Sequence, residues 1–236
     1  MEVLNLEQIR ELDFHTSEAY KTLRTNIEFS GKDIRVITFT SATPNEGKSS
    51  TCMNLAIAIA QSGKRVVLVD ADLRKSVLVG RYKIGKVENG LSHYLSGQKG
   101  IPEVTYETSV ENLYTIFAGP VPPNPAELLG SEMFTTLVNE LKEIFDYVII
   151  DSPPLGSVID TAVISKVCDG AIIVLESGKI SYRFAQKITN QLIKANCRIL
   201  GTVLNKVKVT KKGYYGAYYG KYYGSYYGEY YGNDEK

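Results

Sequence analysis

The chain has 236 residues, 44% of them hydrophobic, enough for one good-sized core or for one domain with an appendage. Its 27 Lys and Arg balance 26 Asp and Glu, so a net charge of +1 supplies no global field, and no nucleic-acid partner is expected. Apolar runs such as 66–69 and 171–175 fall far short of the roughly 18 residues of a membrane span, residues 1–10 do not read as a secretory segment, and Cys52, Cys168 and Cys197 read as reduced, buried thiols of a cytosolic protein.

In chain order, residues 16–30 come first, with Ala19, Leu23 and Ile27 at helical spacing and Lys21 and Arg24 beside them. This segment is expected to be a helix outside the nucleotide core, with Lys21, Arg24 and Arg35 as solvated positions. Short β-branched runs follow at 34–40, 65–70, 113–117, 147–151, 171–176 and 199–205, alternating with amphipathic stretches. That alternation predicts βαβ units: an α/β fold with a doubly wound, mostly parallel sheet. Residues 120–125 carry prolines and read as a loop into a helix whose apolar face is Phe134, Leu137, Leu141 and Ile144. His15 and His93 have no recognisable partner, and Tyr82, Tyr94, Tyr106, Tyr114, Tyr147 and Tyr182 are expected at core margins.

Past Lys212 the composition changes. Tyr-Tyr-Gly recurs five times with a period of four, through Tyr214, Tyr215, Tyr218, Tyr219, Tyr222, Tyr223, Tyr226, Tyr227, Tyr230 and Tyr231. The segment has a glycine in every repeat and no aliphatic surface to bury. It is expected to be a disordered tail over 211–236, after a folded domain over 1–210.

The run Ser41-Ala42-Thr43-Pro44-Asn45-Glu46-Gly47-Lys48-Ser49-Ser50 lies between the first of these strands and a helical stretch through Gln61. A loop in that position points backbone N–H groups at phosphate oxygens, so Thr43, Asn45, Glu46, Gly47, Lys48, Ser49 and Ser50 are assigned to ATP. Gly47 permits close approach, Lys48 neutralises the β and γ oxygens, and the Ser49 hydroxyl ligates Mg²⁺. Ala42 stands where the P-loop pattern usually has its first glycine, and the strand before and helix after carry the assignment instead.

Two acidic strand ends complete the set. Residues 66–69 lead into Asp70 and Asp72, and residues 147–150 lead into Asp151. In open parallel sheets the carboxyl ends of strands face the ligand. Asp72 and Asp151 are assigned with Ser49 to Mg²⁺. Asp70 is assigned either to accept the proton of an attacking hydroxyl or to support the metal further.

The chain resembles the bacterial tyrosine kinases of capsule and exopolysaccharide assembly, in the Gram-positive form where the cytosolic kinase is a separate polypeptide. The resemblance rests on Ser41 to Ser49, on Asp70-Ala71-Asp72-Leu73-Arg74 as Walker A′ and on Asp151-Ser152-Pro153-Pro154 as Walker B. It extends to Gly90-Leu91-Ser92, to Ala118-Gly119 through Asn124-Pro125, to Glu127-Leu128-Leu129 and to the terminal tyrosines. It implies a P-loop fold of the ParA or MinD-like type and autophosphorylation of the tail tyrosines between subunits. By the same resemblance Glu18 and Arg24 lie in a segment that docks subunits into a ring. A membrane-spanning activator of the polysaccharide chain-length regulator type recruits the kinase to the inner face of the membrane, and a cognate tyrosine phosphatase opposes it.

The principal alternative is a ParA or MinD-like ATPase switch, whose second lysine, five positions before the P-loop lysine, is replaced here by Thr43. A eukaryotic-type kinase lacks support, since neither His-Arg-Asp nor Asp-Phe-Gly occurs. The tail could otherwise serve as an aromatic adhesive or an inert linker, but its four lysines against three carboxylates make a poor groove for nucleic acid.

Overall fold

The computed structural model describes residues 3–4, 6 and 12–207. The expectations for the tyrosine tail lie outside these residues. Among the described residues eight strands form one sheet: β1 (Val3–Leu4), β2 (Val36–Ser41), β3 (Val66–Asp70), β4 (Thr105–Thr108), β5 (Leu113–Ile116), β6 (Tyr147–Asp151), β7 (Gly170–Glu176) and β8 (Ile199–Asn205). Their order is β1-β4-β5-β3-β6-β2-β7-β8, and every neighbouring pair is parallel except β4 with β5. The α/β, mostly parallel architecture is as expected. All six predicted strands are present within two residues of their expected ends.

Two strands escape the sequence pattern. β1 is two residues long, and β4 carries Glu107 and follows directly on the short helix α5 (Ile101–Val104), so neither presents an apolar run. β4 turns the sheet antiparallel through Asn112, whose φ of 65° lies in the left-handed region.

The central strands are buried on both faces. Val66 and Leu68 join Ile37, Phe39 and Ile149 on the face covered by α2 (Lys48–Ala60) and α1 (Phe14–Phe29). Val67 and Val69 join Val36, Val148 and Ile150 on the other face, beneath Phe134, Leu137, Val138 and Leu141 of α7 (Glu132–Ile144). The period of two along each strand therefore sorts a continuous apolar run into two cores. Among the remaining elements are α3 (Leu78–Arg81), α4 (Leu91–Leu95), α6 (Pro125–Leu129), α8 (Asp160–Ile164) and α9 (Tyr182–Lys194).

Several expectations need correction. α1 lies against α2, with Ile27 in the shared core, so it covers the nucleotide-side layer rather than standing outside it. Arg24 and Arg35 are not simply solvated. Arg24 donates to the Ala58 carbonyl at 2.8 Å, and the Arg35 guanidinium donates to the carbonyls of Lys142, Phe145 and Asp146, because both neighbouring helices end in carbonyls that no helical amide can reach. Lys21 is exposed, paired with Glu18. Tyr182 is 80% exposed at the first turn of α9, whereas Tyr82, Tyr94 and Tyr106 are buried and Tyr114 and Tyr147 half-buried. Cys52 and Cys197 are buried free thiols and Cys168 is half-buried. His93 accepts the Gly90 amide at 3.1 Å, a local capping contact.

Candidate active site

β2, β3 and β6 end side by side, and Asp70 is the register partner of Asp151. The loop after β2 turns through Asn45 (φ 66°) and Gly47 (φ 93°) into α2. Glu46 organises this turn. One of its carboxylate oxygens accepts from the amide and hydroxyl of Thr43, and the other accepts from the Glu176 amide at 3.2 Å. Its carbonyl accepts from the side-chain amide of Asn205 at 2.8 Å. Glu46 therefore offers a ligand its backbone, since its carboxylate is engaged inside the loop.

Gly47 caps α2 without a side chain, so the start of this 13-residue helix has no side-chain cap among the described residues. The φ of 93° at Gly47 reserves the position for glycine, and a Cβ there would lie 1.9 Å from Asn205 Nδ2, so that side chain would have to give up its place. Amides converging at a helix start, with the helix dipole behind them, suit phosphate. Asn205 was not foreseen; a polar residue closing the last apolar strand was its only sequence signal.

Lys48 is buried at the start of a helix. It is the first residue of α2, 6% exposed, and its ammonium is paired with Asp151. Burial favours its neutral form, but the Asp151 charge prevails and holds the amine above the ordinary lysine range. The Cys52 thiol lies 3.7 Å from the same carboxylate. Asp70 is buried and forms no ion pair among the described residues; burial first, then the charge of Asp151, raises its carboxyl to about 7, against hydrogen bonding from Ser76 and the charge of Lys48. Asp72 is half-buried, its amide donating to Asp70 at 3.2 Å and its carboxylate accepting from the Lys75 amide at 3.0 Å. Its charge is felt by both Lys48 and Asp70. Ser49 is buried at the same helix start, and the Ser50 hydroxyl accepts from Arg81 of α3, a second contact that was not foreseen.

The structure thus gathers Thr43 to Ser50, Asp70, Asp72 and Asp151 at one edge of the sheet, while Glu18 and Arg24 lie on α1. Among the described residues no group of three or more His, Cys, Asp or Glu side chains forms a metal cage. The donor set instead suits Mg²⁺, which takes one or two carboxylates and a hydroxyl and completes its octahedron with water and phosphate oxygens.

A family profile described as an AAA domain matches residues 34–205. The tyrosine-protein kinase CpsD of Streptococcus agalactiae is 41% identical over 203 residues, covering 85% of this chain and 89% of that protein. The chain belongs to the bacterial tyrosine kinases. This kinase is also 39% identical to the tyrosine-protein kinase YwqD of Bacillus subtilis, across 85% of its own length and 86% of that protein's. Its fold overlays the chimerical protein CapA2B2 with a TM-score of 0.79 at 30% identity, covering 89% and 95% of the two chains. The septum site-determining protein MinD from Pyrococcus horikoshii, complexed with Mg-ADP, overlays with a TM-score of 0.63 at 26% identity, covering 72% and 70%. The kinase is therefore built on the MinD-like P-loop fold, and its enzymatic class is protein-tyrosine kinase.

Proposed function

We propose that this kinase transfers the γ-phosphate of ATP to the tyrosines of its own terminal segment, between subunits, and so regulates capsular or exopolysaccharide polymerisation and export. The observation that carries the site reading is Lys48 buried against Asp151 at the uncapped start of α2. Thr43, Asn45, Glu46, Gly47, Ser49 and Ser50 present the cradle for ATP, and Ser49, Asp72 and Asp151 would hold Mg²⁺, which neutralises phosphate charge when bound. Lys48 leaves Asp151 for the phosphate oxygens, freeing that carboxylate as a ligand. Asp70 accepts the hydroxyl proton of the acceptor tyrosine. Tyrosine's own value near 10 leaves its hydroxyl protonated at neutral pH, so a carboxylate beside it assists the transfer.

The domain reading follows: residues 1–210 as the kinase and 211–236 as its tyrosine-rich substrate, Tyr214 through Tyr231. Glu18 and Arg24 on α1 serve ring assembly. No helix among the described residues is long and apolar enough to cross a membrane. The reading places the kinase in the cytoplasm, drawn to the membrane by an activator of the chain-length regulator type and reset by a tyrosine phosphatase. Full modification adds about −1.5 to −2 charges per tyrosine, enough for tails to repel one another and loosen a ring.

The test mixes full-length Lys48→Met protein with active protein truncated after Val209, in Mg·ATP, and reads intact mass. Phosphate additions on the inactive full-length chain are expected. An unlabelled tail in the mixture, with wild-type labelling independent of concentration, would overturn transfer between subunits.

A further inference from the structure

Asp70 ends β3 and Asp72 lies in the segment between β3 and α3, whose bonds fold it around those two carboxylates: Ser76 to Asp70, the Asp72 amide to Asp70, and the Lys75 amide to Asp72. Two residues beyond Asp72, Arg74 leaves this turn and forms a bidentate pair with Asp160. Its Nε and Nη2 lie 2.7 and 2.9 Å from the two carboxylate oxygens. Asp160 is the first residue of α8 and is fully buried, while Arg74 remains 40% exposed. A buried carboxylate reached by one planar guanidinium is held in direction as well as distance.

The other side of Asp160 is equally fixed. Its neighbour Thr161 donates to the Pro153 carbonyl at 2.6 Å and lies 2.9 Å from the Ser152 hydroxyl, which in turn donates to the Phe39 carbonyl at 2.7 Å. Ser152 and Pro153 directly follow Asp151. A closed path therefore runs from Asp72 through Arg74, Asp160, Thr161 and the Pro153 carbonyl back to Asp151, and the Ala71 amide closes it again by donating to the Asp151 carbonyl at 2.9 Å. Loops that carry catalytic groups are ordinarily the mobile parts of a sheet's edge. This one is tied across to the neighbouring acidic strand end.

We propose that Arg74 and Asp160 are positioning residues for tyrosine phosphorylation, a yoke that sets Asp70 and Asp72 at a fixed separation from Asp151. The yoke does not touch the reacting atoms. Its effect is on where the acids stand when phosphate and metal arrive, so its loss acts on turnover and on Mg²⁺ demand. This inference rests on the reading of Asp72 and Asp151 as the metal acids.

The experiment uses the full-length kinase with an exogenous tyrosine peptide, varying ATP and Mg²⁺ separately, with thermal unfolding recorded for every variant. Asp160→Asn and Arg74→Lys each keep the site's size while losing the bidentate match. Each is expected to lower kcat on the order of 10- to 100-fold, as small misplacements do, to leave KM for ATP within about twofold, and to raise the Mg²⁺ concentration giving half-maximal rate. Arg74→Met strands a buried charge and is expected to lower stability as well. The double variant Arg74→Met/Asp160→Leu removes that charge; its melting temperature is expected to recover while kcat stays low. Recovery of kcat together with stability would overturn the positioning role in favour of a purely structural pair. A raised KM for ATP with unchanged kcat in Arg74→Lys would overturn it in favour of direct phosphate contact. Asp72→Asn in the same assay separates the two readings. If Asp72→Asn is impaired and Asp160→Asn is not, the yoke alone fails; if Asp72→Asn turns over like wild type, the metal reading fails and the yoke with it.

Discussion

The two ends of the central sheet hold similar residues in opposite condition. At the amino end, Asp169 accepts from the amides of Arg35 and Val36 and from Lys142, and Asp146 accepts from the Arg65 amide. Every one of those acids finishes a strand or helix junction. At the carboxyl end, Asp70 and Asp151 are buried side by side with Lys48 paired to Asp151, and Asp72 adds a third charge nearby. Burial and that repulsion raise Asp70, whereas Asp169 is lowered because the hydrogen bonds from Lys142, Val36 and Arg35 outweigh its burial. At the amino end each acid has its own donors, whereas at the carboxyl end two buried carboxylates stand beside one ammonium.

The largest expected effect tests the carboxyl end. Lys48→Met should lower tail labelling about 10²–10³-fold, the range for losing a transition-state charge partner, and should also destabilise, because it strands Asp151. The double variant Lys48→Met/Asp151→Asn should regain stability by thermal denaturation and remain inactive. Equal recovery of both would erase the distinction between the two ends.

Next comes Asp70→Asn, expected to slow transfer about 10²-fold, the low end for losing a general base. Its stability effect has the opposite sign. A carboxyl raised to about 7 contributes stability below its unfolded value of about 3.9, and that contribution fades as pH rises through 7. Metal-free Asp70→Asn protein should therefore melt above wild type at pH 8, with the gap closing toward pH 5.

At the amino end the sign reverses. The lowered carboxyl of Asp169 contributes stability above about pH 3.9, lost as pH falls further. Asp169→Asn should cost about 1–3 kcal/mol at neutral pH, the range for leaving buried donors unpaired, and should flatten the acid limb of the stability curve while leaving kcat alone. A changed kcat would show that the amino end is not purely structural. The smallest effect is expected from Arg35→Met, about 1 kcal/mol from the lost carbonyl contacts of α7, again with wild-type turnover.

Much of this was legible in the sequence because it is local. Runs such as Val66 to Val69 and Val148 to Ile150 announce buried strands, and the turn from Ser41 to Lys48 announces a phosphate loop. What the pattern could not show are pairings made by topology. Lys48 gives no sign of its partner until the sheet brings Asp151 beside it from 103 residues away. Arg74 and Asp160 are separated by 86 residues, and Asn205 meets Glu46 across 159. Periodicity carries no information about such partners. Arg24 misled for the same reason: its acceptor, Ala58, belongs to another helix.

That last contact has a mechanical side. α2 begins at the phosphate loop and ends where Arg24 holds the carbonyl of Ala58, so a rod of 13 residues, about 20 Å long at 1.5 Å per residue, joins the nucleotide to α1. The far end of the helix that opens at the phosphate loop is thus bonded to the same helix, α1, that carries Glu18.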